Sequence, residues 1–183
     1  MYVVSISSQT TDHKRVEDMS FYKEHFLLIG CAIILWTNVY ASGTLAATKS
    51  EQIYNFAQYV RWSKKTKNIT FCVAGNKTVF KQLNNKAKRV KLIKGRPLIV
   101  KQVTKRAQLS NCSILYVNKG SALLPAAKKL RGILTVSNKK SFSKNVGIIE
   151  FIAKNQFCIN HIRAKKQGVS LQGQLLRLAK KCH

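Results

Sequence analysis

An apolar run near the start of the chain most constrains the fold, because it decides which residues belong to the folded protein. The run extends over Phe26–Trp36, contains no charged side chain and is 11 residues long. A helix that spans a bilayer needs about 20 apolar residues. The run is therefore too short for a membrane anchor.

The surroundings of the run are those of a secretory signal peptide, which has a charged end, an apolar middle and a small-residue cleavage site. Lys23 precedes the run, and Val39-Tyr40-Ala41 fits the small-x-Ala cleavage pattern. We predict cleavage after Ala41, with cleavage after Ala46 as the alternative. Met19 would give a signal peptide of ordinary length and is the start that we favour.

Two other interpretations of this segment remain open. Leu28-Ile29-Gly30-Cys31 resembles a bacterial lipobox, in which the cysteine is lipidated and becomes the first mature residue. Against a lipobox, the apolar run continues for five residues beyond Cys31. The third interpretation is a structural helix within a longer fold. Export predicts residues 1–41 as a signal peptide and residues 42–183 as a single domain.

Removal of the first 41 residues changes the charge of the chain. That segment holds four of the six acidic residues but only three of the 33 Lys and Arg residues, which leaves 30 basic residues against two acidic ones, about +28. Such a charge attracts anionic partners, including acidic proteins, cell-wall polymers and the membrane surface. Export makes nucleic acid the least available, so we expect no nucleic-acid partner. A cytoplasmic nucleic-acid binder would require residues 26–46 to be structural.

The scarcity of acids also argues against catalysis and metal binding. Glu51 and Glu150, the two carboxylates of the predicted mature chain, are 99 residues apart, so paired acid–base chemistry and hard-metal sites lack ligands. Cys158 and His161 are three residues apart, but positions i and i+3 of a strand face opposite sides. We therefore predict no catalytic residues, no metal site and no cofactor.

Hydrophobic periodicity predicts an α/β domain. Helices are expected over 50–62 with Ser50 as the N-cap, 77–87, 121–132 and 169–181, and strands over 69–75, 112–117 and 133–137. Residues 88–103 and 146–162 each alternate as strand, turn and strand. Short continuous apolar strands between helices indicate a mostly parallel sheet in three layers. A C-terminal antiparallel hairpin and a terminal amphipathic helix complete the prediction.

Four cysteines remain after the predicted cleavage, an even number that suits an oxidising compartment. Cys72 and Cys112 belong to two buried strands that the fold would place close together, which makes them the favoured disulfide pair. Buried free thiols that only pack are the alternative. Cys158 and Cys182 are open to three fates: they pair with each other, join two chains, or stay reduced.

Three residues are candidates for contact with a partner. Arg96 lies in the turn "KGRPL", where a guanidinium can bind a carboxylate or phosphate with two hydrogen bonds. Tyr59 and Trp62 end the first predicted helix, and aromatic side chains are enriched in binding hot spots. A solvent-facing turn arginine and aromatic side chains at the rim of the core are the plainer interpretations.

Seven segments of the chain together carry a likeness to a known family. They are "YNFAQYVRW" (54–62), "CVAG" (72–75), "GRPLIV" (95–100), "CSILYV" (112–117), "ILTVS" (133–137), "VGIIEF" (146–151) and "INHIRAKKQGVSLQGQLLRLAK" (159–180). In order and approximate spacing they are similar to the YfiR-like family of periplasmic proteins. The resemblance covers nearly all of the predicted mature chain.

The resemblance implies a non-enzymatic α/β regulator, often dimeric, that needs no cofactor. Such a protein binds the periplasmic sensory domain of an inner-membrane diguanylate cyclase and lowers production of cyclic di-GMP. It releases the cyclase domain when envelope or redox conditions change. The rival expectation is an exported module that binds a small ligand or an envelope polymer and has no cyclase partner.

The chain departs from the family pattern at three places. Ser137-Asn138 stands where members commonly have Ser-Asp, Val146-Gly147 replaces a Gly-Gly pair, and Cys158 occupies a position that is often acidic. Two of these changes remove negative charge, in line with the overall bias of the sequence.

Overall fold

The computed structural model describes residues 48–181. The predicted signal peptide, its cleavage sites and Cys182 lie outside the described residues. The helices are α1 (Lys49–Gln58), α2 (Lys77–Val90), α3 (Phe142–Asn145), α4 (His161–Lys166) and α5 (Gly173–Leu178). The strands are β1 (Ile69–Ala74), β2 (Leu92–Ile93), β3 (Arg96–Gln102), β4 (Ile114–Val117), β5 (Leu134–Ser137), β6 (Ile149–Ala153) and β7 (Gln156–Ile159). Arg106–Leu109 and Pro125–Lys129 form single 3₁₀ helices.

The strands form one sheet in the order β2-β3-β1-β4-β5-β6-β7. The five strands from β3 to β6 in this order run parallel to their neighbours, while β2 and β7 pair antiparallel at the two edges. This architecture confirms the predicted α/β class, with its mostly parallel sheet and its C-terminal antiparallel hairpin. The parallel pairs need crossover connections, which the intervening helices and loops supply.

Every residue of β1, β4 and β5 is buried, because both faces of the sheet are covered. Alternate residues of one strand therefore enter different cores. Phe71 belongs to the larger core, which α1, α2 and the C-terminal helices cover, whereas Cys72 belongs to a smaller core. The 3₁₀ segments at Arg106–Leu109 and Pro125–Lys129 cover the smaller core, to which they contribute Leu109 and Ala126. The three predicted layers are present.

The first helix begins one residue earlier than expected, and its cap is different. Thr48 is the N-cap: its hydroxyl accepts from the Glu51 amide at 3.3 Å, and the Glu51 carboxylate accepts from the Thr48 amide at 3.0 Å. This reciprocal arrangement satisfies two amide donors at the helix start. Ser50, the predicted cap, is instead buried in the first turn and donates to Gln82 Oε1 at 3.0 Å. That bond joins α1 to α2.

Three predicted helices are shorter than the sequence suggested. The helix α1 stops at Gln58, because Val60 forms an isolated bridge with Leu171. The segment 121–132 forms only the 3₁₀ turn that starts at Pro125. The terminal helix is confined to α5, and α4 begins at His161, inside the segment 146–162 that was expected to be strand, turn and strand. Within residues 48–181, the helices all fall short of the length and apolarity that crossing a membrane would require.

Gly147 allows a close approach that fixes the start of β6. A Cβ built on Gly147 collides with the ring of Phe142 and comes within 2.8 Å of Thr135 Oγ1. Phe142 is fully buried, and the Thr135 hydroxyl accepts from the Ile148 amide at 3.0 Å. The neighbours of Gly147 are therefore held in place from two sides.

We expect Gly147→Ala to lower the free energy of unfolding by about 1–3 kcal/mol, because overpacking a filled core costs that much. Urea denaturation followed by circular dichroism measures the change. Gly120→Ala is the matched control, since a Cβ at Gly120 meets nothing within 4 Å. Equal losses in the two variants would contradict the close approach.

Candidate functional site

The three predicted contact residues are held by local interactions. Arg96 is half-buried and opens β3, so it is not the solvent-facing turn arginine that was one interpretation of the sequence. Its Nε donates to Thr66 O at 2.8 Å. Trp62, also half-buried, donates through Nε1 to Ala57 O at 3.1 Å. Both side chains thus support the loop between α1 and β1, to which Lys94 Nζ adds a bond to Val60 O at 3.2 Å.

Tyr59 lies apart from that support. It is the C-cap of α1, and its carbonyl accepts from the Gln172 amide at 2.8 Å. Its half-buried side chain packs against the larger core. Nothing here tests a partner role for Tyr59, Trp62 or Arg96, and that role stays a prediction.

Tyr59 lines an apolar groove between α1 and α5, called here the α1–α5 groove. Its volume is about 390 Å³, and Phe157, Leu175 and Leu178 contribute its apolar walls. Leu175 is buried, whereas Leu178 is 58% exposed. The spacing of Leu171, Leu175, Leu178 and Ala179 predicts one apolar helical stripe, but a helix of only six residues buries Leu175 and leaves Leu178 exposed. The exposed leucine beside Tyr59 is the feature that sequence reasoning missed.

A second depression lies at the carboxyl ends of β4, β5 and β6, and is called here the cationic cleft. It has a volume of about 440 Å³ and is lined by Lys49, Lys119 and Lys154, with Asn138 and Phe151 among its other walls. The Asn138 side chain accepts from the Lys119 amide at 2.9 Å, which joins the loops after β4 and β5. Ligands of open α/β sheets bind at the carboxyl ends of the strands. Because three lysines line this ligand-binding edge of the sheet, the cleft is suited to an anion.

Cys72 and Cys112 form a disulfide with a Cα–Cα distance of 5.8 Å. This is the pair that the sequence favoured. Cys72 lies in the middle of β1 and Cys112 lies just before β4, the neighbouring strand. The bond closes a loop of 40 residues across the smaller core. In the chain-entropy model, a loop of this length stabilises the fold by about 4 kcal/mol.

Glu150 is the centre of a buried polar cluster on β6. Its carboxylate accepts from the Ser141 amide at 2.9 Å, from the Ser143 amide at 3.1 Å and from the Ser143 hydroxyl at 2.8 Å. The side chain of Asn160 donates to Ser143 O at 2.8 Å. These bonds fix α3 against the β6–β7 hairpin. The signal that could have revealed them is a lone acid inside the apolar run "VGIIEFIA".

Cys158 lies beside this cluster, with its sulfur 3.2 Å from Ser143 Oγ. Cys158 is buried and is disulfide-bonded, so its sulfur is not a thiolate nucleophile in this state. His161, its predicted neighbour three residues on, is exposed at the start of α4. Among residues 48–181 there is no group of three or more His, Cys, Asp or Glu side chains placed to hold a metal ion.

Tyr116 carries its hydroxyl into the larger core. The side chain is fully buried on β4, and its hydroxyl has no hydrogen-bond partner in the described part of the chain. Removal from water disfavours the tyrosinate, and this desolvation raises the pKa of Tyr116 from 10.0 to about 12.

Comparison with known proteins connects these features to a family. A family model described as YfiR/HmsC-like matches residues 46–180, which confirms the resemblance drawn from the seven sequence segments. None of the curated proteins matches the chain.

We expect Glu150→Gln to lower the free energy of unfolding by about 2 kcal/mol, since the amide keeps one acceptor oxygen and turns its NH2 donor toward one of the two serine amides, which bind different carboxylate oxygens. Glu51→Gln is the matched control, because it removes the same charge at an exposed helix start. We expect the control to lose under about 0.5 kcal/mol. Urea denaturation at neutral pH measures both, and equal losses would show that the buried cluster contributes nothing beyond net charge.

Tyr116 predicts a loss of stability at alkaline pH. The pKa of Tyr116 in the folded state lies above 10.0, the value for the unfolded chain. The free energy of unfolding is therefore unaffected by this titration below pH 10 and falls as the pH rises towards 12, because the unfolded chain loses the tyrosine proton first. Between pH 9 and pH 11 the wild type should lose about 1 kcal/mol more than Tyr116→Phe, in which this titration is missing. Lysine titration is common to both proteins. The idea fails if the two denaturation curves shift equally.

At neutral pH the same variant should be as stable as the wild type or more so. The substitution removes a buried hydroxyl that has no partner among residues 48–181, and leaving such a group unpaired costs about 1–3 kcal/mol. A clear destabilisation of Tyr116→Phe at pH 7 would show that the hydroxyl is paired in solution.

Proposed function

Since the chain belongs to the YfiR/HmsC-like family, we propose that it is a periplasmic, non-enzymatic regulator that binds the sensory domain of an inner-membrane diguanylate cyclase. By holding that domain, it lowers production of cyclic di-GMP. The observation that carries the proposal is the family match over residues 46–180, which takes in nearly all of the predicted mature chain. Export is part of the proposal.

The buried Cys72–Cys112 disulfide supports export. Disulfides persist in oxidising compartments such as the periplasm, whereas the cytosol keeps thiols reduced. The signal-like segment before Ser42 supports the same localisation. These two features are independent of each other, because one lies in the folded domain and the other precedes it.

The α1–α5 groove is the surface that we assign to the cyclase domain. It combines an exposed leucine, Leu178, with the half-buried Tyr59 in a concave apolar site. Interface hot spots are typically aromatic or apolar side chains that become fully desolvated on binding. Trp62 belongs to the neighbouring loop and binds the Ala57 carbonyl of α1, while Arg96 binds the Thr66 carbonyl of that loop. Their part in binding is to keep the loop in place.

The positive charge of the chain should raise the rate of association with the cyclase domain and make the affinity depend on salt concentration. The predicted mature chain, with 30 basic and two acidic residues, is attracted to any acidic surface before docking. Exposed charges of this kind mainly raise association rates, and salt screens them.

An exported module that binds a small anionic ligand or an envelope polymer is the second candidate function. The cationic cleft favours it, because Lys49, Lys119 and Lys154 surround one depression at the ligand-binding edge of the sheet. The two functions use different surfaces, so they are separable by mutation. A homodimer is compatible with either.

Binding to the purified periplasmic domain of a membrane cyclase tests the main proposal. We expect the Kd to rise at least about tenfold when the salt concentration goes from 50 mM to 500 mM. We also expect Leu178→Ala to raise the Kd at least about fivefold, because the leucine would be buried at the contact. Isothermal titration calorimetry or surface plasmon resonance measures both.

Leu92→Ala is the matched control, since Leu92 is similarly exposed at 51% but lies on β2, at the opposite edge of the sheet from β7. Equal effects of the two substitutions would remove the groove from the interface. If no cyclase domain binds while an anionic polymer does, and if Lys119→Ala weakens that binding, the second candidate function replaces the first.

A further inference from the structure

The strand β7 stands at one end of the sheet order, where an unpaired edge can recruit another chain. The outer side of β7 is occupied by the chain's own C-terminal segment. The amide of Lys180 donates to Phe157 O at 2.9 Å, and Lys180 forms a parallel bridge with Cys158. The segment after α5 therefore begins an additional strand beside β7.

The backbone after α5 already has the extended conformation that pairing with β7 requires. Ala179 is the C-cap of the helix and has extended dihedral angles, φ −77° and ψ 143°. The chain thus leaves the helix directly in a strand conformation. One bridge is a small contact, however, and a segment held by so few hydrogen bonds opens easily unless a further bond holds it.

Cys158 can hold this segment by a covalent bond. It lies in β7, is buried and is disulfide-bonded. The sequence has five cysteines, of which Cys72 and Cys112 bond to each other. Cys31 and Cys182 are the candidates that remain within the chain, and Cys31 belongs to the segment that export is expected to remove. Cys182 follows Lys180 by two residues, a span of about 7 Å in extended chain.

We propose that Cys158 and Cys182 form a second disulfide, which fixes the C-terminal segment on β7 and closes that edge of the sheet. In its formation the two thiols lose two protons and two electrons and gain one S–S bond. The electron acceptor is the disulfide of a periplasmic thiol–disulfide oxidoreductase. That disulfide is reduced to a dithiol.

The crosslink has a consequence beyond the edge. The loop that it closes contains α4 and α5, so it restrains both helices. The helix α5 forms one wall of the α1–α5 groove through Leu175 and Leu178. The crosslink therefore keeps that wall in place whatever occupies the groove, and the inference depends on export but not on the identity of the partner.

Peptide mapping of the mature protein tests the pairing. The chain is purified from the periplasm, unfolded in denaturant that contains an alkylating reagent so that buried free thiols also react, and digested with trypsin without reduction. Cleavage after Lys154, Arg163 and Lys181 should yield residues 155–163 joined to the terminal dipeptide Cys182-His183. Reduction should separate the two peptides. The intact mass without reduction should be that of one chain.

Four results would overturn the pairing: an alkylated Cys158, a bond from Cys158 to Cys31, a bond to Cys72 or Cys112, or a crosslink that joins two chains. Failure of the pairing is distinguishable from failure of export. If Cys72 and Cys112 are joined while Cys158 is alkylated, export stands and the second disulfide does not. If all thiols are alkylated, the oxidising compartment itself is wrong.

Hydrogen exchange tests what the crosslink does. In Cys182→Ser the amide of Lys180 should exchange at least about tenfold faster than in the wild type, because the segment opens without its fastening. The amides of the central strand β1 should be unchanged. Lys181→Ser is the matched control, since it alters the same segment and removes no thiol. Unchanged protection of Lys180 in Cys182→Ser, or an equal loss in both variants, would contradict the proposed role.

Discussion

The fold depends on covering both faces of a largely parallel sheet, because its central strands are too apolar to leave either face in water. The coverage is unequal. On one face, α1 and α2 pack Ile53, Phe56 and Leu83 against the sheet and form the larger core. On the other face, two short 3₁₀ segments cover a smaller one. The Cys72–Cys112 bond lies on that weaker face, and its loop of 40 residues stabilises the fold where apolar burial is least.

Scarcity of acid shapes the polar interior as much as it shapes the surface. With two carboxylates in the predicted mature chain, most lysine and arginine side chains face solvent, and the few polar contacts inside are made by backbone amides, hydroxyls and carboxamides. Arg96 is an example of a basic side chain with a neutral partner, because its guanidinium binds a backbone carbonyl instead of a carboxylate. Glu150 illustrates the converse, since its buried carboxylate accepts from two amides and a hydroxyl and, within residues 48–181, has no basic side chain among its hydrogen-bond partners.

The strands, the hairpin and the favoured cysteine pair follow from the sequence, because burial of continuous apolar runs is a local signal. The errors arise where two local signals compete or where tertiary contacts decide. Thr48 and Ser50 are both good N-caps, and only the reciprocal bond with Glu51 selects Thr48. The stripe Leu171–Ala179 has helical spacing, but Leu171 is drawn into a bridge with Val60 and the helix shortens. That shortening exposes Leu178 and creates the groove, so the candidate site could not be foreseen from periodicity.

The proposed regulatory role requires specificity to come from shape, and the distribution of charge in this chain makes that requirement strict. Its basic residues are spread over the whole sequence, so the electrostatic field attracts acidic partners without fixing one orientation. Orientation then has to come from a desolvated apolar contact, for which the α1–α5 groove is suited. A groove discriminates only if its walls hold their positions. The helix α5 is short, and it is held at its start by the Gln172–Tyr59 bond and after its end by the Lys180–Phe157 bond, so the contacts that hold the C-terminal segment also hold one wall of the groove.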